Sequence, residues 1–352
     1  MNQTARAMTG EERILAACRH QQPDATPIWF MRQAGRCLAG YRALRERYDI
    51  FTIAKTPELC AQVTLMPVHE LGVDAAVMFA DIMLPIEAMG VALSIQPDLG
   101  PVIHAPIRTR ADVEKLRLLD PEEATPYVLE AIRVLRRELA GKAALVGFSG
   151  APFTLACYLI EGRPSRDFAL ARAMMFQEPE LWHSLMETLT EMVVRYLGGQ
   201  ARAGAQVLQL FDSWVGTLAP ATYERFVLPY SRRVFDEMRA LGVPTIHFGT
   251  TTNSLLELMA EAGGDIISVD WRTPLDQAWK RIGYDRGIQG NLDPATVLAS
   301  SGTMREAAQD VLDKAGGRPG HIFNLGHGVL PDTNPAMLAE LVSMVHESTA
   351  KP

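Results

Sequence analysis

Eight short apolar runs recur along the chain: PIWFMR (27–32), VDAAVMF (73–79), AALVGFS (143–149), AQVLQLF (205–211), VPTIHFG (243–249), DIISVD (265–270), RGIQGN (286–291) and HIFNLG (321–326). They are nearly continuous in apolar and β-branched residues rather than alternating, which is the pattern of strands buried on both faces in a parallel sheet. Between them the apolar positions fall at helical spacing. Leu181, Leu185, Leu189, Met192, Val193 and Tyr196 form one such stripe, with Gly204 just past its end. Thr9 with Glu12 and Thr303 with Glu306 predict capping boxes, and Asn253 predicts an N-cap. Pro229 lies inside a helical pattern and predicts a break there.

Strands alternating with helices predict a single (β/α)8 barrel, one domain over residues 1–352. More than sixty residues separate the second and third runs. They contain VALSIQPDLGPVI, which reads as an irregular hairpin, and a helical piece at 125–140, so the second βα unit is elaborated. A doubly wound sheet would carry a glycine-rich phosphate turn after its first strand. RQAGRCLAG stands there instead, and its Gly35 and Gly40 do not fit that turn.

Composition adds a contrast of charge. The chain has 352 residues, 48% hydrophobic and 21% charged, and its net charge is 34 − 41 = −7. A negative field argues against a nucleic-acid or membrane-surface binder. Against that sign, Arg32, Arg36, Arg42, Arg45 and Arg47 crowd together just after the first apolar run. Cys18, Cys37, Cys60 and Cys157 show no paired metal spacing and are expected as buried free thiols. No HExxH or His-x-His pair is present, so no metal is expected. The first residues lack an apolar signal core, and no run is long enough to span a membrane, so the cytoplasm is the expected location.

In such a barrel the chemistry gathers at the C-terminal ends of the strands. Candidates there are Arg32, Gln33 and Arg36, Asp81, Ser149, Asp212 and Ser213, Asp270, Asn291 and His327, with Tyr158 further along. Each has a plainer alternative. Asp81 and Ser213 are able to cap turns, Tyr158 to fill a core, Asp270 and Asn291 to tie strand ends, and Arg42, Arg45 and Arg47 to line a solvated helix face. As a set, arginines, one carboxylate and neutral donors around one mouth suit a substrate with several negative charges. Without a phosphate loop, a polycarboxylate is the better reading. A Ser213, His327, Asp81 triad lacks a GxSxG elbow.

PIWFMRQAGR (27–36) and GFSGAPFTLACYLIEG (147–162) resemble two motifs of the uroporphyrinogen decarboxylase family. FADIM (79–83), QLFDSWVG (209–216), QGNLDP (289–294) and FNLGHG (323–328) resemble further family segments in the same order, so the resemblance covers essentially the whole chain. It implies a cofactor-free barrel enzyme, usually a homodimer. The implied reaction removes the carboxyl groups of the four acetate side chains of uroporphyrinogen III to give coproporphyrinogen III. By matching motif it implies that Asp81 is the central aspartate under the pyrrole N–H groups. Arg32, Arg36 and Arg45 stand at arginine positions, Tyr158, Ser213 and His327 at further donors, and Phe211 where a residue packs on the macrocycle. Asp81, Arg32 and Tyr158 are the catalytic candidates, and Gln33, Arg36, Arg45, Phe211, Ser213 and His327 the substrate-binding ones. CLAGYR after QAGR departs from the usual family wording at Cys37, Ala39 and Gly40. The rival readings are a zinc- and corrinoid-dependent methyltransferase of related fold, which needs a cysteine near His247 that is not there, and a non-catalytic tetrapyrrole carrier.

Overall fold

A computed structural model describes residues 6–96, 99–118 and 120–351. Its strands are β1 (Ala75–Val77), β2 (Leu93–Gln96), β3 (Gly100–Ile103), β4 (Ala144–Gly150), β5 (Val207–Asp212), β6 (Thr245–Gly249), β7 (Ile266–Ser268), β8 (Gly287–Gln289) and β9 (His321–Ile322). β1 and β4 to β9 form one seven-stranded parallel sheet in chain order. β2 and β3 form a separate antiparallel hairpin within the elaborated second unit, where VALSIQPDLGPVI placed it. Residues 97 and 98 of that stretch lie outside the described residues.

The expected eighth strand at 27–32 is not a strand. A single parallel bridge joins Ile28 to Phe323, beyond the end of β9. On the other side the Asp74 N–H, just before β1, donates to the Ile28 carbonyl at 2.8 Å. The sheet therefore curls until both edges meet this one segment. The ladder stays short for two reasons. Pro27 has no N–H to give, and after Phe30 the backbone turns, with Arg32 at φ +62°. Side chains take over the missing rungs: the Asp74 carboxylate accepts from the Ile28 N–H at 2.8 Å, and the Asn324 amide oxygen accepts from the Met31 N–H at 3.2 Å.

Inside the curl lies a buried polar layer. The Trp29 indole N–H donates to Gln289 at 3.0 Å, and the Gln289 amide donates to Ser268 at 3.0 Å and Gln209 at 3.2 Å. Outside it, helices cover the sheet. Pro179–Ala203 buries Trp182, Leu185, Met186, Leu189 and Val193, close to the stripe read from the sequence. Thr9 and Glu12 form their capping box, at 3.2 and 2.7 Å. Ser300, not Thr303, caps Ser301–Ala315, accepting from the Thr303 N–H at 3.2 Å. Asn253 opens a 3-10 turn and accepts from Arg281 at 2.7 Å instead of capping a helix. The break near Pro229 occurs at Val227, between Pro220–Phe226 and Leu228–Ala240, because Pro229 cannot bond back to the Arg225 carbonyl. All four cysteines are free and buried.

His321, buried in β9, donates through Nε2 to the Gly290 carbonyl at 2.9 Å. Burial pushes its pKa down to about 4, only partly opposed by that bond. In the unfolded chain the same imidazole takes a proton near pH 6.5. Stability is therefore complete above that pH and lost as pH falls toward 4, by about 2–3 kcal/mol at pH 4.5. Denaturant titrations at pH 7.5 and 4.5 check this: His321→Gln should show a smaller acid loss than the wild type, and an identical loss would exclude His321 as its source.

Candidate active site

The turn that ends the 27–31 segment builds one side of the mouth. Gln33 is wholly buried, accepts from the Phe30 N–H at 2.9 Å and donates to the Ala75 carbonyl at 2.8 Å. Both ends of its amide clamp the turn to β1. The clamp holds Arg32 at φ +62° and Arg36 at φ +63°, the left-handed region that costs a non-glycine residue about 1–2 kcal/mol. Arg32 is left exposed while Arg36 is half-buried and reaches the Val329 carbonyl at 3.4 Å. Burial, and then the charge of Arg32, lower the Arg36 pKa.

The glycines around His327 have a definite use. A Cβ on Gly328 would meet Arg32 Cδ at 2.6 Å and Cγ at 2.9 Å. A Cβ on Gly326 would meet the Trp271 backbone nitrogen at 2.3 Å. The loop carrying His327 is thus seated against the Arg32 side chain on one side and the loop after β7 on the other. Burial, followed by the charges of Arg32, Arg36 and Arg272, lowers the His327 pKa to about 4, so its imidazole is neutral at neutral pH.

Asp81 lies past the end of β1, and its Oδ1 accepts from the Met83 N–H at 2.8 Å. It keeps some exposure at the mouth, yet the surrounding protein dominates and raises its pKa above the usual carboxylate range. The Met83 N–H and Arg32 pull the other way without prevailing. Tyr158, buried on the helix Pro152–Glu161, has its hydroxyl pushed up to about 12, first by burial and then by Asp81, with Arg32 opposing. Asp81 and Arg32 thus act in opposite senses on the Tyr158 hydroxyl, and Arg32 also acts on Asp81.

Aromatic rings form the floor. Phe211 meets Phe148 edge-on at 5.4 Å and Phe248 at 5.2 Å, and Phe248 meets the His327 ring at 6.5 Å. Half-buried Ser213 follows β5, and its neighbour Trp214 packs against Tyr158 at 6.1 Å. Arg45 is exposed and donates to the Tyr48 carbonyl at 2.7 Å. Half-buried Tyr41 packs its ring against Phe79 at 5.4 Å, and burial raises its hydroxyl pKa against the opposing charges of Arg45 and Arg36. Arg42 donates to the Cys37 carbonyl at 3.0 Å and Arg47 rests over the Tyr48 ring, so the solvated-face reading suits these two.

Other strand-end candidates point elsewhere. Asp212 and Ser149 are wholly buried; Asp212 accepts from Thr154 at 3.2 Å, and Ser149 donates to the Gly150 carbonyl at 3.0 Å. Asn291 donates to the carbonyls of Asp270 and Thr273 at 2.9 and 2.7 Å, a tie between strand ends. Tyr41, Phe148, Phe248 and Arg272 were missed from the sequence. The parallel register that sets Phe211 opposite Phe248 is a tertiary fact, and only the alternation of strand faces hinted at it. Among the described residues, no group of three or more His, Cys, Asp or Glu side chains is placed to hold a metal ion.

Residues 9–348 match the family model described as uroporphyrinogen decarboxylase. A uroporphyrinogen decarboxylase of Carboxydothermus hydrogenoformans is 54% identical over 334 residues, 95% of each chain. One from Thermus thermophilus is 53% identical over 337 residues, 96% of this chain and 98% of the relative. Among solved structures, a methyltransferase from Methanosarcina mazei superposes with a TM-score of 0.82, covering 97% of this chain and 99% of its own. At 19% identity that likeness shows the fold alone.

Proposed function

The chain belongs to the uroporphyrinogen decarboxylase family, and we propose that the mouth at Arg32, Asp81 and Tyr158 is where it takes carboxyl groups from uroporphyrinogen. It is a carboxy-lyase of tetrapyrrole biosynthesis. The observation that supports the site assignment is that Asp81 and Arg32 act in opposite senses on the Tyr158 hydroxyl, beside the packed rings of Phe148, Phe211 and Phe248.

A pyrrole acetate holds its carboxylate because the electrons of the breaking bond have nowhere to go. Protonating the ring carbon beside the side chain turns the ring into an iminium-like cation, and carbon dioxide leaves as those electrons form an exocyclic double bond. A proton added to the methylene carbon, and loss of the first proton from the ring, complete a methyl group. One carboxylate and one proton become one methyl and one carbon dioxide. Ionised Asp81 accepts from the pyrrole N–H groups and stabilises the cation as it forms. Arg32, or a water it positions, supplies the ring proton. Tyr158, Ser213 and neutral His327 donate to substrate oxygens, Arg36 and Arg45 hold further carboxylates, and Phe211 packs on the ring face.

The segment at 27–31 takes the eighth position of a (β/α)8 ring. A homodimer in the cytoplasm completes the proposal; among the described residues no helix is long and apolar enough to cross a membrane.

Anaerobic incubation with uroporphyrinogen III, without added cofactor, tests the function. Oxidised products separated by carboxylate number should run from eight carboxylates to four. Tight binding with no carbon dioxide released would overturn the catalytic reading in favour of a carrier.

A further inference from the structure

Arg272 stands four residues beyond the end of β7, at the same end of the sheet as Arg32. Around the ring the 27–31 segment is three positions away, past β8 and β9. The Arg272 guanidinium sits 3.9 Å over the Trp271 ring and donates through Nη1 to Asp270 at 3.1 Å. Every part of this support is itself held. Asp270 also accepts from the backbone N–H groups of Arg272 and Thr251, Asn291 ties the two ends of the loop, and Trp271 abuts Gly326. A guanidinium so pre-positioned loses little further freedom on meeting a ligand.

Asp270 is 3% exposed while the Arg272 side chain is 48% exposed, and among the described residues only Nη1 of the guanidinium has a hydrogen-bond partner. Asp270 therefore leaves the outer fork of Arg272 open. Trp271, its neighbour, backs onto Gly326 beside His327, and the Arg272 charge acts on that imidazole together with those of Arg32 and Arg36. A substrate with eight carboxylates has more of them than Arg32, Arg36 and Arg45 accommodate.

We propose that Arg272 is a carboxylate-binding residue of the substrate site, holding one peripheral carboxylate of the macrocycle by its open guanidinium fork on the β7 side of the mouth. This rests on the decarboxylase reading. The carboxylate belongs to either a propionate, which survives the reaction, or an acetate, which does not.

Steady-state kinetics of the wild type, Arg272→Gln and Arg272→Lys on the eight-carboxylate substrate and on a five-carboxylate porphyrinogen decide it. R272Q should raise KM about tenfold, a loss of ~1.4 kcal/mol, and leave kcat within about twofold, as expected for uniform binding. R272K should fall between, since lysine keeps the charge but not the fork. An equal rise on both substrates assigns the contact to a propionate, and a rise only on the larger one assigns it to an acetate. An unchanged KM in folded R272Q overturns the inference and leaves Arg272 as the counter-ion of Asp270. Should R272Q not fold, an unchanged KM in R272K overturns the fork contact. A wild type that releases no carbon dioxide fails the decarboxylase reading first, and this inference with it.

Discussion

Asp81→Asn is expected to keep the fold and to lower kcat by about 10²–10³-fold, the size of loss seen when one preorganised electrostatic group is removed from a reacting centre. Asparagine retains an oxygen for the Met83 N–H, so the loop after β1 keeps its anchor. What disappears is the negative charge beneath the developing iminium-like cation. Single-turnover decarboxylation, with circular dichroism as a fold control, measures the loss. Turnover within about threefold of the wild type would remove Asp81 from the role given it here. The raised pKa of Asp81 adds a second readout in the wild type. Activity needs the ionised form, so kcat/KM should fall as pH drops through a value above the ordinary carboxylate range. That limb belongs to the free enzyme, and it should be absent from the residual activity of D81N.

Gly328→Ala should lower kcat/KM by about 10²-fold while costing little stability, a loss comparable to that from small misplacements of catalytic groups. The added Cβ would sit 2.6 Å from Arg32 Cδ and 2.9 Å from Cγ. Arg32 has little room to respond, because its backbone is already at φ +62° and the Gln33 clamp holds the turn. The side chain must leave its rotamer, and the guanidinium moves with it. A double-mutant cycle separates this from general damage. In an Arg32→Ala background, G328A should cost nothing further in activity. Full additivity of the two losses would show that Gly328 acts on something other than Arg32.

Much of the candidate site was legible because its residues lie in contiguous stretches. Arg32 and Arg36 were visible as charges set against an apolar run, where charge is costly unless used. Asp81, Ser213 and His327 followed from the rule that barrel chemistry collects past strand ends. The direction of the Gln33 side chain was not legible, because proximity to arginines says nothing of it. Its amide matches the unpaired Phe30 N–H and Ala75 carbonyl, and that pairing appears only once β1 is alongside. Thr303 was misread as a cap for a different reason. Ser300, three residues earlier, offers the same hydroxyl, and local sequence does not rank two such candidates.

The first run shows where sequence stops. PIWFMR has the composition of a buried strand, and the structure puts it in a strand's position, but one bridge is all the ladder it forms. Composition reports burial, whereas ladder length depends on free N–H groups and on φ, which Pro27 and Arg32 restrict. By itself, then, the sequence determined the alternation of elements, the buried strands and, through its contiguous motifs, the family, because these reside in local pattern and residue type. Tertiary structure decided that the sheet closes on the 27–31 segment, that Gly328 makes room for Arg32, and that Phe148, Phe211 and Phe248 pack together. Each of these is a contact between residues far apart in the chain, set by how the sheet curls, and no local pattern encodes it.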